Sequence, residues 1–566
     1  MNKKIRLLTA LLLLGMPAIF FACKKTSDPV NAGIPYGITG VEPAAAQSGD
    51  TIRVFGVGFQ PDTAGNKITI NGVDAKVVYA SPSLLRVVVP DASRTGNISI
   101  QTGSKSFHFD QLFSIVTRIS GNLSGAWKLT PDKQYMLAGE THLQKGATMA
   151  IAAGTTILAQ RGTFAELVID DGASLQVTGT ADKPVVFTSD QASGLRVPGD
   201  WKGITLHSSA GDPADILQYL RIEFAGYHPP TMPGAALRID RPIGAGKASF
   251  IQASYSAGDG FRCAGTGTVY LKNMVAFACA GTDFDFTGDS RIIGQFLLGI
   301  KDPALADQYS ADGLIAQSAQ PATISNLTLV GANGLSRLAN SAPPSYDLQS
   351  NTDGVKNFNA GRSVHIGGYN AGTGLNLNGT LQLFNSAIIA SWLAGVSVDG
   401  PLAWNAYANG GSMIRYSTFT SSGANARNSS GHQDPPARGY TFSSENLQSP
   451  TSGFGVTTGT PQLADFNATN DSAFLRQEIP WFMDPNFNYY KTVDDLGVVN
   501  FTLYKKLNAP LLILPDASKL MTGAIFTDDA LDNPFIDKTN SFRGAFGASD
   551  WTRQWSNFAP QETSYN

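Results

Sequence analysis

The chain has 566 residues and a formal net charge of −3, and charged residues make up only 15% of it. This balance, with no run of lysines or arginines, argues against a nucleic-acid partner. The 59 glycines suit an all-β protein with many tight turns, and three cysteines are too few for a disulfide framework.

Residues 1–22 have the pattern of a lipoprotein signal peptide. A basic start is followed by an apolar run from Leu7 to Phe21, and Ala22 stands directly before Cys23. We expect cleavage before Cys23 and acylation of its sulfur, so that lipid attaches the mature protein to the membrane. The alternative, a membrane-spanning helix, is disfavoured because the apolar run is short. Residues 23–33 are polar and are predicted to form a flexible tether.

Residues 34–117 form a separate unit in which short strands alternate with Gly, Pro and Asn turns. The segments GDTIRVFGVGF, ITINGVDAKV, LLRVVVP and FSIV resemble those of an IPT/TIG domain. The resemblance implies an immunoglobulin-like sandwich that acts as a spacer or a docking module.

A parallel β-helix is predicted over residues 127–450. Its short apolar strands, separated by turns of a few residues, are typical of a solenoid rather than a sandwich. The clearest are Met149–Ile151, Leu167–Ile169, Leu175–Val177, Val185–Phe187 and Ile204–Leu206. Stacked coils need covered ends, so residues 451–566 are predicted to continue the solenoid and cap it. Trp551, Trp555 and Phe558 recur at helical spacing and predict the buried face of a capping helix.

Three asparagines, Asn273, Asn326 and Asn385, each precede an apolar pair in a recurring strand segment. Asn accepts the left-handed backbone conformation and can hydrogen-bond along a stack of its own kind. The pattern predicts a right-handed β-helix with an asparagine ladder at its sharp bend.

Four blocks of the solenoid and tail carry a further resemblance. TADKPVVFTS with PGDWKGITL, SAGDGFRCAGTGTVYLKNMVAFACAGTDFDF, ISNLTLVG and SFRGAFGASDWTRQWSNFAP together resemble a family of β-helical lipoproteins from Bacteroidota. The resemblance implies a cell-envelope location at the outer membrane, on either its surface or its periplasmic side. It implies a location more firmly than an activity.

Asp259, Asp283 and Asp285 are the candidate metal ligands. Strand alternation puts Asp283 and Asp285 on one side, and stacked coils could bring Asp259 near them, which would offer oxygen ligands to Ca²⁺. The same carboxylates could be the acid and base of a glycosidase. The alternative is solvated turn aspartates, some bonded to their own backbone.

Other candidate groups are weaker. The six histidines show no pair at metal-ligand spacing, which disfavours a transition-metal site. Cys263 and Cys279 could form a disulfide or remain buried thiols. Trp392, Trp404 and Tyr407 lie near turns, where exposed rings could stack on sugars; the alternative is ordinary packing under loops.

The sequence leaves three functions open. The first is a non-catalytic envelope lipoprotein whose solenoid binds a polysaccharide or another envelope protein. The second is a β-helical polysaccharide lyase or glycoside hydrolase, although fold alone does not give activity. The third is a structural spacer. No cofactor is firmly predicted beyond the Ca²⁺ option.

Overall fold

The computed structural model describes residues 36–421 and 510–565, together with residues 442–443, 469 and 471–472. Within the two long ranges, residues 44, 92–94, 209–213, 230–233, 303–304, 306–311, 332–361, 371–374, 392–393, 511, 515 and 517 are not described. The predictions for the signal peptide, the tether, Cys23 and Trp392 therefore lie outside the described residues. The chain divides into two compact units, one of residues 1–44 and 49–113 and the other of residues 45–48 and 114–566.

The first unit is a sandwich of antiparallel strands. Burial alternates strictly along Gly96–Thr102, as expected for strands with one face on a core. That core contains Ile52, Val54, Leu85 and Ile98, all fully buried. The strands are Gly37–Glu42, Thr51–Val57, Asn66–Ile70, Val73–Ser81, Leu84–Val88, Gly96–Thr102 and the first part of Lys105–Leu123. The predicted immunoglobulin-like architecture is confirmed.

The second unit is a parallel β-helix, which also confirms the prediction. Each coil contributes one strand to each of three parallel sheets. Sheet 1 contains the ends of Lys105–Leu123 and Gln134–Leu143, then Glu166–Ile169, Gly203–Leu206, Ala235–Ile239, Asp259–Cys263, Phe284–Phe286, Leu314–Ala316, Arg362–Asn370, Ala394–Asp399 and Phe442–Ser443.

Sheets 2 and 3 share five long strands that bend from one sheet into the other: Ile216–Glu223, Ile243–Ser254, Thr266–Phe277, Asp289–Ile300 and Ala322–Val330. Sheet 2 also contains Ala126–Leu129, Thr148–Ala152, Ser174–Thr178, Leu381–Phe384 and Met413–Arg415. Sheet 3 also contains residues 116–119 of Lys105–Leu123 and the start of Gln134–Leu143, with Thr156–Ala159, Val185–Ser189, Ala387–Ser391, Thr418–Ser421 and Asp471–Ser472.

The remaining elements are short. Ala45–Ala46 pairs with Ser114–Ile115, and Leu375–Leu377 pairs antiparallel with the end of Arg362–Asn370. The α-helix Pro401–Ala408 has proline in its first turn, where the missing N–H costs nothing. Two 3₁₀ turns occupy Lys519–Met521 and Asp529–Leu531. Within the described residues, no helix is long and apolar enough to cross a membrane.

The interior of the coils is one continuous apolar core. In the third coil Leu167, Leu175 and Phe187 point inward from sheets 1, 2 and 3, and each is at most 1% exposed. Parallel pairing between successive coils starts at Val116, earlier than the predicted residue 127. Lys105–Leu123 contributes its first part to the sandwich and residues 116–123 to the first coil.

The bend between sheets 2 and 3 uses a left-handed residue in successive coils. The strand register aligns these residues, and φ is between +51° and +58° at Tyr219, Phe250, Asn273, Phe296, Asn326, Asn385 and Tyr416. The left-handed conformation predicted for the three asparagines is therefore confirmed. A continuous asparagine ladder is wrong, because Phe250 and Phe296 flank Asn273. Stacked rings replace it in part, as Tyr219 and Phe250 lie 4.5 Å apart and nearly parallel.

The described C-terminal residues, 518–565, form an extended segment that lies along sheet 3, and we call it the strap. It contacts late coils first, where Asp528 pairs with Arg415, and early coils last, where Tyr565 bonds to Glu223. The predicted capping helix is wrong: residues 551–555 form consecutive turns. The predicted burial is right for Trp555, which is 1% exposed and sits edge-on against Tyr219 and Phe250.

Buried amide side chains hold the strap to the solenoid. Gln252, Gln295 and Asn385 each donate to a strap carbonyl and accept from the N–H of the same strap residue. The strap partners are Asn557, Asp537 and Ile525 respectively. A second apolar cluster fills the space beneath, with Phe277, Ile300 and Val330 from sheet 3 against Leu520, Phe546 and Trp555. The outer face of sheet 3 is therefore occupied by the chain itself.

Candidate functional site

The outer face of sheet 1 carries a row of polar side chains, in contrast to the strap-covered face of sheet 3. One aligned row across its strands contains His142, Thr205, Arg238, Arg262, Asp285 and His365, interrupted by Val168 after His142 and by Ile315 before His365. The residues that alternate with these polar residues along each strand, such as Phe261 and Phe284, point into the core. Strand alternation thus gathers titratable groups from many coils onto one surface.

The exposed part of this surface lies on the first coils, and we call it the aromatic–carboxylate patch: Glu140, His142, Phe164, Glu166, Asp170, Lys202 and Tyr227. Lys202 Nζ lies 3.1 Å from a carboxylate oxygen of Glu140 and 3.0 Å from one of Glu166. The two ring nitrogens of His142 each lie 3.0 Å from a carboxylate, one of Glu140 and one of Asp170. The polar side chains are therefore held in fixed positions by their neighbours.

Two exposed rings meet beside these charges. Phe164 is 52% exposed and Tyr227 is 40% exposed, and their centroids are 5.1 Å apart. The Lys202 N–H donates to Ala165 O, and its carbonyl accepts from the Gly226 N–H, so Lys202 lies on the coil between those of the two rings. The rings thus form a ledge at the edge of the charged cluster.

The contacts shift the pKa values of Glu140, His142 and Lys202, each toward the charged form of the group. Hydrogen bonds from His142 and Lys202 lower the pKa of Glu140. Hydrogen bonds to Asp170 and Glu140 raise the pKa of His142. Bonds to Glu166 and Glu140 outweigh burial and raise the pKa of Lys202. Each shift favours the charged form, so the cluster is stabilised as an ionic network.

Two of the predicted metal ligands converge farther along sheet 1. Arg262 lies 3.4 Å from Asp259 and 3.1 Å from Asp285, and the side chains of both aspartates are at most 7% exposed. Burial raises the pKa of Asp259 and of Asp285, and the charge of Asp285 raises that of Asp259 further while Arg262 opposes both shifts. The alternative of solvated turn aspartates is wrong, because coil stacking buries these groups.

The third predicted ligand, Asp283, belongs to a different pair. Its carboxylate lies 3.0 Å from Lys301 Nζ, and both side chains are almost fully buried. Burial raises the pKa of Asp283 to about 6, although Lys301 pulls it down. Lys301 also donates to the carbonyls of Cys279 and Gly281. The strand does not bring Asp283 and Asp285 into one cluster.

A third group of charges lies farther along the same face. His365 lies 3.0 Å from Asp312 and 2.9 Å from Asp399, and Arg362 is 3.7 Å from each aspartate. Burial lowers the pKa of His365, but the bonds to the two aspartates outweigh it and raise the pKa overall. This histidine is therefore part of a buried ion-pair network.

The described residues include no group of three or more His, Cys, Asp or Glu side chains arranged to hold a metal ion. Arg262 and Lys301 supply positive charge where a calcium ion would have to sit. The calcium site at Asp259, Asp283 and Asp285 stays a prediction. Cys263 and Cys279 are buried free thiols, so of the two alternatives the buried thiols are observed and the disulfide is not.

Two of the predicted ligand-binding rings, Trp404 and Tyr407, lie on the helix Pro401–Ala408, and the third, Trp392, lies outside the described residues. Tyr407 is 5% exposed and belongs to the solenoid core, whereas Trp404 is half-buried against that core. Their rings are 6.1 Å apart. Ordinary packing accounts for Tyr407, and the binding role of Trp404 stays a prediction.

Sequence reasoning missed most of the aromatic–carboxylate patch, although a signal was present. Glu140 and His142 alternate in GETHL, and Lys202 directly follows a turn in PGDWKGITL. Such alternation predicts an exposed strand face. What cannot be deduced from it is that Phe164 and Tyr227 meet over the coil between them.

Comparison with known proteins agrees with this architecture. Residues 35–115 match the model of the IPT/TIG domain, and residues 121–214 match that of the pectate-lyase like beta helix domain. No curated protein matches the chain.

Two solved structures match a short stretch of the chain. An auxiliary nutrient binding protein from Bacteroides thetaiotaomicron is 26% identical over 14% of this chain and 21% of its own, with a TM-score of 0.14. An auxiliary nutrient binding protein from Bacteroides ovatus is 22% identical over 14% and 20%, with a TM-score of 0.13. The match thus spans about a fifth of either solved chain. By its domain matches and its fold, the chain combines an IPT/TIG domain with a pectate-lyase-like β-helix domain.

Proposed function

We propose that the protein is a non-catalytic cell-envelope lipoprotein whose β-helix binds a glycan on the outer face of sheet 1. The observation that carries the proposal is the exposed pair Phe164 and Tyr227 beside the fixed charges of Glu140 and Lys202. Aromatic faces pack against the C–H faces of sugar rings, and fixed polar groups bond to sugar hydroxyls.

The distribution of surfaces supports this choice of face. Sheet 3 is covered by the strap, whose apolar contacts and amide bonds leave no room for a ligand. The patch, in contrast, has exposed rings, and its polar side chains are already oriented by one another. A preorganised site loses less conformational entropy on binding than a flexible one.

The test uses a soluble form that begins after Cys23, titrated with neutral polysaccharides in a calorimeter. The double variant Phe164→Ala/Tyr227→Ala is expected to bind at least about tenfold more weakly, because tenfold corresponds to about 1.4 kcal/mol. Tyr79→Ala/Leu112→Ala is the matched control, since these side chains of the sandwich are 47% and 52% exposed. Equal affinity of both variants would remove the patch from the proposal.

A polysaccharide lyase is the second candidate, favoured by one observation. Arg262 stands between two carboxylates, and its Nε and Asp285 Oδ1 are buried without a hydrogen-bond partner in the described part of the chain. An arginine beside acids that hold Ca²⁺ is a base arrangement that lyases use. Burial of both aspartates, with Arg262 only 17% exposed, favours the non-catalytic proposal instead.

Activity measurements separate the two candidates. The protein is incubated with polyuronates, with and without Ca²⁺, and the unsaturated product is followed by its ultraviolet absorbance. The proposal predicts no product and no change in melting temperature with Ca²⁺. Product formation that Arg262→Lys abolishes would establish the lyase and refute the non-catalytic function.

A further inference from the structure

The chemical class of the glycan follows from the charge of the patch. Its carboxylates are those of Glu140, Glu166 and Asp170, whose side chains are 53%, 18% and 31% exposed. Lys202 is the cation placed between the two glutamates, with 29% exposure. Three carboxylates thus stand beside the aromatic ledge against two cationic groups, Lys202 and His142, whose pKa is raised.

The network favours the charged form of Glu140. The hydrogen bonds from His142 and Lys202 lower the pKa of Glu140 and hold it as a carboxylate. Both bonds from Lys202 are directed at the glutamates, so its ammonium group is paired within the network, which keeps an excess of one carboxylate over Lys202 and His142. The neighbouring Arg161 is likewise paired, 3.0 Å from Asp200.

We infer that the patch takes a glycan without anionic groups and rejects polyuronates. This inference rests on the proposed glycan-binding function and adds the substrate class. A polyuronate carries one carboxylate on each sugar ring. A ring bound at the patch would therefore place a negative charge beside Glu140 and Glu166, and these like charges repel. A neutral sugar ring stacks on Phe164 and Tyr227 with no such cost.

The experiment compares two polymers that differ only in charge. Polygalacturonate and its carboxyl-reduced, neutral form have the same linkage, and each is titrated into the soluble protein. At low ionic strength the neutral polymer is expected to bind about tenfold more tightly, and at high salt the two affinities should approach each other.

The variant Glu140→Gln/Glu166→Gln tests the origin of the selectivity. It is expected to bind polygalacturonate within about threefold of the neutral polymer, because amides keep hydrogen bonds but carry no charge. Glu42→Gln/Asp74→Asn is the matched control, since both carboxylates form exposed ion pairs on the sandwich. The control should keep the full selectivity of the unmodified protein.

The outcomes separate the two levels of the argument. Equal or tighter binding of polygalacturonate would overturn the charge inference while glycan binding stands. Selectivity that survives in Glu140→Gln/Glu166→Gln would also overturn it, because the charges responsible would then lie elsewhere. If neither polygalacturonate nor its neutral form binds, and no neutral polysaccharide of the earlier calorimetric test binds either, the proposed function itself is refuted.

Discussion

Replacing Asn326 tests how the strap is held, because this side chain is fully buried between two coils and the strap. Its Nδ2 donates to Asn540 Oδ1 at 3.1 Å and to Phe542 O at 2.9 Å. Its Oδ1 accepts from Gln295 at 3.2 Å and from Ser325 at 3.0 Å. The residue also has φ of +57°. It therefore makes four hydrogen bonds from a left-handed backbone position.

The expected cost of Asn326→Ala follows from these contacts. Each lost bond costs about 0.5–1.5 kcal/mol, and the left-handed backbone adds about 1 kcal/mol for alanine. We expect the free energy of unfolding to fall by about 3–5 kcal/mol once relaxation around the site is allowed for. Asn326→Gly should cost less, since glycine accepts this backbone conformation freely. Asn326→Asp keeps the acceptors but loses both donors and buries a charge.

Urea unfolding and hydrogen exchange of the strap measure these effects. Exchange at residues 537–545 should rise in Asn326→Ala before the coils unfold. Asn122→Ala is the control, because Asn122 is exposed on a solenoid strand, and it should change stability by less than about 0.5 kcal/mol. Equal, small effects of both alanine variants would refute the role of Asn326 in holding the strap.

Three further predictions concern buried or paired charges and the membrane anchor. The bonds to Asp170 and Glu140 raise the pKa of His142, so the stability that they contribute is complete below pH 6.5 and is lost as pH rises through the raised pKa. The melting temperature should therefore fall over this pH range, and the fall should be smaller in His142→Asn. An unchanged pH dependence of the melting temperature in this variant would contradict the pairing. Lys301→Met removes the ion-pair partner of the buried Asp283 carboxylate and should lower the free energy of unfolding by about 3–5 kcal/mol near pH 7.5. The cost should be smaller near pH 5, where Asp283 protonates readily, and a pH-independent cost would disprove the pairing. Cys23→Ser should release the protein from the membrane fraction, and a variant that stays in the carbonate-washed pellet would contradict the lipid anchor.

Local patterns in the sequence were enough to predict the two architectures. Short strands separated by Gly, Pro and Asn turns predicted the sandwich, and closely spaced apolar segments such as Leu167–Ile169 predicted the coils, because both depend on contacts within and between neighbouring strands. The left-handed state of Asn326 was predictable from residue chemistry. The equivalent state of Phe250 and Phe296 was not, because ring packing against the strap and adjacent coils offsets their backbone cost.

The strap and the patch were beyond prediction for a different reason. Both depend on contacts between residues far apart in the chain, such as Gln252 with Asn557. A glutamine inside the apolar segment SFIQASY is a hint of a buried partner, but nothing local identifies that partner. Likewise, Asp283 and Asp285 alternate on one strand, yet the coils direct them to Lys301 and Arg262 respectively.

Hydrogen exchange of the protein with and without a bound neutral polysaccharide tests the central claim most directly, because it locates the ligand without any substitution. Binding to the outer face of sheet 1 predicts slower exchange in the turns around Phe164 and Tyr227 and at Lys202, with the strap around Trp555 unchanged. Protection confined to the strap, to the helix Pro401–Ala408 or to the sandwich would contradict the assignment of the aromatic–carboxylate patch as the binding surface.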